Sequence, residues 1–388
     1  MHHFLKKLFY TGIILISVFE ILNVFFIMPM PGSQEIKSID VAYFLYSHRW
    51  FFRIGSGILI VTGISSAFSN KLTLLPVLSI LGSAIIIYAF NFKMNAESMF
   101  KQPVKLILKP KSENMLNDSS LLICVVNNGI AKGYPIRYMS YHHQVQDTVG
   151  DLSLIVTYCN VCRTGRAYIP EVEGHPEKFR LVGMDHYNAM FEDETTGSWW
   201  RQATGEAIAG PLKGKIMPEY ESVQLTAGKL FELYPDALVM QADEASKLKY
   251  DSAGKFEQGK STSRLTRTDS LSWKDKSWVI GIQKGSESKA YDWNLLKKQG
   301  IINDFIGTTP ILIVLSADGE SFAAFDRPSE AEIYSIRGDI LYSNTGSYDF
   351  TGMNIQEKGK NLERIKGYQE FWHSWRTFHP ATRQYPDK

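Results

Sequence analysis

Three cysteines in 388 residues are too few for the two cysteine knuckles of a zinc ribbon, which close four ligands around one ion. Charge of either sign is also lacking in excess: 42 Lys and Arg face 40 Asp and Glu, a formal net charge of +2. No run of Lys and Arg supplies the basic face that neutralises phosphates, so no nucleic-acid partner is expected. Helical patterns are scarce beyond residue 100, with candidates only at 226–233 and 362–378. Short β-branched runs such as LLICVV, LSLIVTY and PILIVLS, set apart by turn residues, read instead as strands.

The first hundred residues are of another composition. Residues 8–30 are apolar apart from Glu20 and Asn23, and at about 1.5 Å per residue they can cross a bilayer. Residues 54–68, extended by 50–52 past Arg53, and residues 72–92 make a second and a third span, with a tight loop expected at 69–71. No small-x-small site follows the first span, which argues against a cleaved signal peptide. Lys6 and Lys7 favour an inside N-terminus; Lys37, Arg49, Arg53 and Lys93 oppose it. Glu20 is expected to face another helix as a hydrogen-bonding partner, in place of a proton pathway.

The later sequence repeats itself. Lys132, Tyr134, Asp147, Gly150 and Ala167 recur as Lys289, Tyr291, Asp304, Gly307 and Ala324, whereas Cys159, Cys162 and His142 fall opposite Ser316, Gly319 and Gln299. Weaker echoes follow: Thr196-Gly197-Ser198 in Thr345-Gly346-Ser347, and Tyr234-Pro235 in His379-Pro380. A period this long signals duplicated domains, not a solenoid. The expected fold is α+β, mainly β: a membrane anchor at 1–100, a first copy at 101–244, a solvated linker at 245–277 and a degenerate second copy at 278–388. Function is expected in the first copy and scaffolding in the second. Asp147, Lys132 and Tyr134, kept in both, read as structural.

In DLSLIVTYCNVCRTGRAYIP an apolar strand runs into Cys159-x-x-Cys162, and Gly165 turns the chain back into a second strand. This is the local form of a zinc knuckle. A thioredoxin-type pair would open a helix, which Gly165 and Pro170 disfavour. Cys124, inside LLICVV, reads as core. The remaining ligands must then be His, Met or carboxylate: His142 foremost, with His143 beside it, then His186 and Met184. Thiolate with imidazole and thioether is a soft set suited to copper or zinc. A dithiol/disulfide couple and inert or disulfide-bonded cysteines are the alternatives. Trp199, Trp200 and Arg201 offer a stacking surface or core.

The strings NNGIAKGYP, HHQVQD, VTYCNVCRTGRAY, ETTGSWWRQATGEAIAGPLKG and LYPDALV resemble, in order and spacing, the prokaryotic family known as domain of unknown function 3179. The likeness is close over 118–239 and loose in the second copy. Cys159, Cys162, His142, Trp200, Gln202, Gly205 and Gly210 fall on its pattern. His143, Gln144 and Gln146 stand where that pattern has Glu, Ile and Asn, and Asn160-Val161 and Arg163 where it has Pro-Leu and Gly. The resemblance implies an exported domain and supplies no reaction. The expectation is thus a protein of the inner membrane with a periplasmic domain and a copper or zinc site of two cysteines and a histidine. Its role would be metal handling or a metal-assisted reaction of unknown substrate. The alternatives are a thiol-disulfide oxidoreductase attacking through Cys159, and a non-catalytic module that meets membrane-protein partners through its TGSWW region.

Overall fold

The computed structural model describes residues 1–69, 74–357 and 359–386. The loop expected at 69–71 lies, beyond Ser69, outside the described residues. The chain forms two compact units. One comprises Met1–Lys101, Glu177–Arg201 and Glu206–Lys215; the other comprises Gln102–Pro176, Gln202–Gly205 and Ile216–Lys388.

In the first unit the helices His2–Phe25, Arg49–Ala67 and Leu74–Phe92 are each long and apolar enough to cross a membrane. The second begins at Arg49 because Trp50–Phe52 continue its apolar surface. Gly63 lets the first two helices meet: a Cβ there would lie 2.3 Å from the Leu5 carbonyl oxygen. Glu20, buried, accepts from Arg53 at 2.7 Å through Nε and 3.0 Å through Nη2, and from Asn91 Nδ2 at 2.9 Å. One carboxylate therefore ties all three helices together, as expected of a partner facing its neighbours.

The strands Phe179–Asp185, Asn188–Asp193, Trp199–Arg201 and Ala207–Ala209 form an antiparallel sheet in chain order within this unit. Val182, Met190 and Trp199 share a core with Ile27 and Ala42, and the Met184 N–H donates to the Ile27 carbonyl at 2.8 Å. Trp199 and Trp200 are both buried.

The second unit contains two runs of strands in one order. In the first run Leu121–Asn127 pairs antiparallel with Ile130–Pro135 and with Val223–Thr226, while Ile130–Pro135 pairs parallel with Leu238–Met240. In the second, Trp278–Lys284 pairs antiparallel with Glu287–Asp292 and with Gly367–Phe371, and Glu287–Asp292 pairs parallel with Arg383–Tyr385. A three-strand meander follows each hairpin: Gln144–Val149, Leu152–Cys159 and Thr164–Tyr168, then Ile301–Ile306, Thr309–Leu315 and Phe322–Asp326. Asp147 faces Leu154 and Asp304 faces Ile311, the same register at a shift of 157.

The two runs share a core. Leu122, Leu225, Leu230 and Val239 of the first meet Leu312, Val314 and Phe325 of the second. Each run also carries one partly buried polar lock. Lys132 Nζ lies 2.9 Å from Asp147 Oδ2, which accepts from the Tyr134 hydroxyl at 2.8 Å. Lys289 Nζ lies 2.8 Å from Asp304 Oδ2, which accepts from Tyr291 at 2.9 Å.

Two expectations are corrected. The supposed solvated linker contains an α-helix, Lys247–Glu257, which buries Tyr250, Ala253 and Phe256. Their spacing of three was masked by the intervening Lys, Ser and Gly. Near the C-terminus only Trp372–Phe378 is helical, because Gly367–Phe371 is claimed by the ladder with Trp278–Lys284.

Two stability predictions follow from these polar groups. Asp147→Ala and Asp304→Ala should each lower stability by about 1–3 kcal/mol, the cost of leaving Lys and Tyr hydroxyl groups without their acceptor; chemical denaturation of the purified chain reads this directly. In detergent, Glu20→Ala should lower the melting temperature well below that of Glu20→Gln, which keeps an acceptor for Asn91. Equal melting of Glu20→Ala and the parent would remove the carboxylate from its tying role.

Candidate functional site

The cysteine pair sits where the sequence puts it, at a strand end and in the following turn. Cys159 closes the strand Leu152–Cys159, and the next strand starts at Thr164, directly opposite it. Arg163, the last turn residue, has φ 55°, the left-handed region that suits glycine and costs another residue about 1 kcal/mol. This is the position where the resembled family has Gly. Its side chain compensates: the guanidinium lies 3.5 Å from the Trp278 ring centroid and donates to Gln369 Oε1 at 3.0 Å, to the Phe256 carbonyl at 3.3 Å and to the Glu257 carbonyl at 3.2 Å.

Neither cysteine forms a disulfide, and both are wholly buried. Burial, followed by the hydrogen bond and charge of Cys159 beside it, pushes the Cys162 thiol well above its ordinary range; Ser374 and Lys276 act the other way. The two side chains are hydrogen-bonded, and Cys162 is held as a neutral thiol. Cys124 is buried in the apolar core, as expected, with its thiol also pushed up by burial.

The groups around this pair come from the end of the supposed linker and from the second run of strands, the part expected to be scaffold. The Phe371 N–H donates to the Cys162 carbonyl at 2.9 Å. Lys276 Nζ donates to the Val161 carbonyl at 2.7 Å and lies 3.0 Å from His373 Nε2, itself 3.1 Å from the Val161 oxygen. Burial lowers Lys276 to about 8 although both thiols pull it upward. His373 is lowered to about 3, by burial first and by Lys276 second, so its imidazole is neutral. The Ser374 hydroxyl donates to Glu370 Oε2 at 2.8 Å. Glu370 Oε1 accepts from Thr164 Oγ1 at 3.0 Å and pairs with Arg166. Burial opposes the Arg166 charge, yet Glu370 holds it above its usual value, and the guanidinium stacks 3.3 Å from the Tyr368 ring centroid.

His142 ends the helix Ile136–His142, is buried, and has Nε2 2.6 Å from the Tyr250 hydroxyl. His143 Nδ1 lies 2.8 Å from the Tyr158 carbonyl oxygen, and burial lowers it to about 4. Met184 and His186 belong to the other compact unit. There His186 Nδ1 lies 2.7 Å from Asp185 Oδ1, and Arg201 Nη2 donates to Asp185 Oδ2 at 2.7 Å. Among the described residues no group of three or more His, Cys, Asp or Glu is arranged to hold a metal ion. The conserved-pattern residue Gln202 instead braces the cysteine hairpin, its Nε2 donating to Thr157 Oγ1 and the Thr164 carbonyl, both at 3.1 Å.

Sequence reasoning missed Lys276, Glu370, His373 and Ser374. Three of them cluster in GYQEFWHSW, where Glu370, His373 and Ser374 stand opposite Leu225, Gly228 and Lys229 of SVQLTAGKL in the first run. That concentration was the available signal. The arrangement offers two adjacent buried thiols, an ammonium beside the loop that joins them, and a hydroxyl leading to a buried ion pair.

No match was found among curated proteins or solved structures. Residues 105–382, which contain both runs of strands and the cysteine site, match the family described as "Protein of unknown function (DUF3179)", and the chain belongs to that family.

Proposed function

We propose that Cys159 and Cys162 take up a monovalent copper ion as a buried dithiolate, in a metal-handling protein held at the membrane with its larger unit outside the cytoplasm. The observation that carries this reading is the contact of two buried thiols beside the Lys276 ammonium. Soft thiolates select Cu(I), which is content with two ligands, whereas Zn(II) favours four. Binding releases both thiol protons. The resulting complex carries one negative charge, and Lys276 supplies the opposite charge at a buried site where charges are weakly screened. The two-sulfur set is favoured over one that also recruits His142 because, among the described residues, no group of three or more His, Cys, Asp or Glu is arranged to hold an ion. Burial of both sulfurs speaks against thiol-disulfide exchange, which needs an accessible thiolate.

The two runs of strands are read as copies of one ancestral unit, supported by their common order, strand senses and register. The second copy then surrendered its own sulfur positions and supplied the polar wall of the first. The placement outside the cytoplasm is supported by the resemblance and by Lys6 and Lys7 ahead of three spans.

Cu(I) competition titration of the reduced, detergent-purified full chain tests the site. Cys159→Ser and Cys162→Ser should each weaken binding at least about a hundredfold, Lys276→Met about tenfold, and His142→Ala by no more than a few-fold. Substitutions at Ser316 or Gly319 should change nothing. Tight zinc binding that His142→Ala abolishes would restore the three-ligand site in place of this one. Cysteines that bind neither metal yet cycle with glutathione would establish the redox alternative.

Orientation is open to a separate check. A C-terminal alkaline-phosphatase fusion should be active and a C-terminal reporter that folds only in the cytoplasm should be dark. The opposite pattern would mean that Lys37, Arg49 and Arg53 set the orientation.

A further inference from the structure

A second polar site lies in the first unit, at the end where the helix His2–Phe25 finishes, Arg49–Ala67 starts and Leu74–Phe92 finishes. A cavity of about 140 Å³ there is lined by the guanidinium-bearing residues Arg49, Arg53 and Arg180 and by the amides of Asn23, Asn91 and Asn95. The three arginines differ in what they already hold. Arg53 is committed to the buried Glu20, and Arg180 pairs with Glu192 and, at 3.2 Å, with the largely exposed Glu97. Among the described residues Arg49 has no carboxylate partner. Its Nη1 donates to the Tyr46 carbonyl at 2.8 Å, and its guanidinium lies 4.2 Å from the Tyr46 ring centroid.

Depth in the bilayer can be read from the aromatic side chains around the cavity. Trp50 and Phe51 at the start of one span, and Tyr88 and Phe92 at the end of another, are all exposed on the helix surfaces. Tyr and Trp settle at the level of lipid headgroups. The cavity therefore lies at phosphate depth, with an uncompensated guanidinium at the positive end of a helix of 19 residues.

We propose that this cavity holds the phosphate of one anionic phospholipid of the surrounding membrane, with Arg49 as its deciding contact. Arg49 presents the planar donor fork that matches phosphate oxygens. Arg180 adds a single donor, Nη1, once its weak, exposed pairing with Glu97 gives way, while its Nε and Nη2 stay on Glu192. Asn91 and Asn95 contribute uncharged lining; Glu97 also lines the cavity and is held by Arg180 Nη1, while Glu20 and Glu192 are held by the arginines they already neutralise. The inference depends on the membrane spans and not on the copper reading, so either can fail alone.

The test uses the full chain reconstituted in bilayer discs of phosphatidylcholine with phosphatidylglycerol, released from them and weighed intact by native mass spectrometry. The parent should retain one phosphatidylglycerol per chain in preference to phosphatidylcholine. Arg49→Gln should lower that retention about tenfold, the effect of one lost charge-assisted contact, and Arg49→Lys should fall between the two. Lys213→Gln, an exposed charge of the same unit paired only with exposed Asp40, should leave it unchanged. Equal retention of the two lipids by the parent, or undiminished retention by Arg49→Gln, would overturn the proposal. Inorganic phosphate that protects the chain from thermal unfolding in phosphatidylcholine discs as well as phosphatidylglycerol does would overturn the lipid assignment and leave a soluble-anion site.

Discussion

The buried ion pair between Arg166 and Glu370 is the constraint on which the cysteine site rests. Arg166 stands two residues after the start of the strand that returns from the cysteine turn, and Glu370 stands one residue before the backbone amide that holds the Cys162 carbonyl. Neither charge reaches solvent, so neither can let go of the other without a desolvation penalty of several kcal/mol. Everything nearby is indexed to this pair. Thr164 and Ser374 bond to the two oxygens of the same carboxylate, which fixes where the second run of strands presents its side chains to the thiols.

How much of this was legible depends on the range of the contacts. The cysteine hairpin was readable because strand, turn and return lie within twenty consecutive residues and alternate with period two. That Asp147 and Asp304 are structural was readable from their recurrence, but not that each pairs with the Lys and Tyr 15 and 13 positions before it, since Asp147 was expected to cap a turn or hold a backbone amide. The three long apolar helices were readable from composition alone. Illegible were contacts more than a hundred residues apart: Lys276 with Val161, Arg163 with Gln369, Glu370 with Thr164. A self-comparison aligns equivalent positions, and it is blind to one run of strands reaching across to the other. That is why the second run looked like scaffold. The imidazole at position 142 was legible as a matched position, but its neighbour Tyr250 sat in a stretch whose amphipathic helix was obscured by polar residues.

Arg163 illustrates how a departure from a family pattern can be accommodated. Glycine would take its backbone conformation without strain, and arginine pays for that loss of ease with a stack on Trp278 and three hydrogen bonds. Its carbonyl acceptors belong to the end of the helix Lys247–Glu257. The turn that carries Cys162 is thereby braced from a side that a glycine would leave empty.

The division of the site between two runs of strands bears on how the protein can be inherited and edited. Both sulfurs precede residue 163, while the ammonium, the carboxylate and the hydroxyl that surround them follow residue 275. A chain that ended between them would keep its cysteine motif intact and still lack the setting that gives the motif its chemistry. A substitution beyond residue 275 therefore alters the surroundings of the thiols as directly as one within the cysteine hairpin.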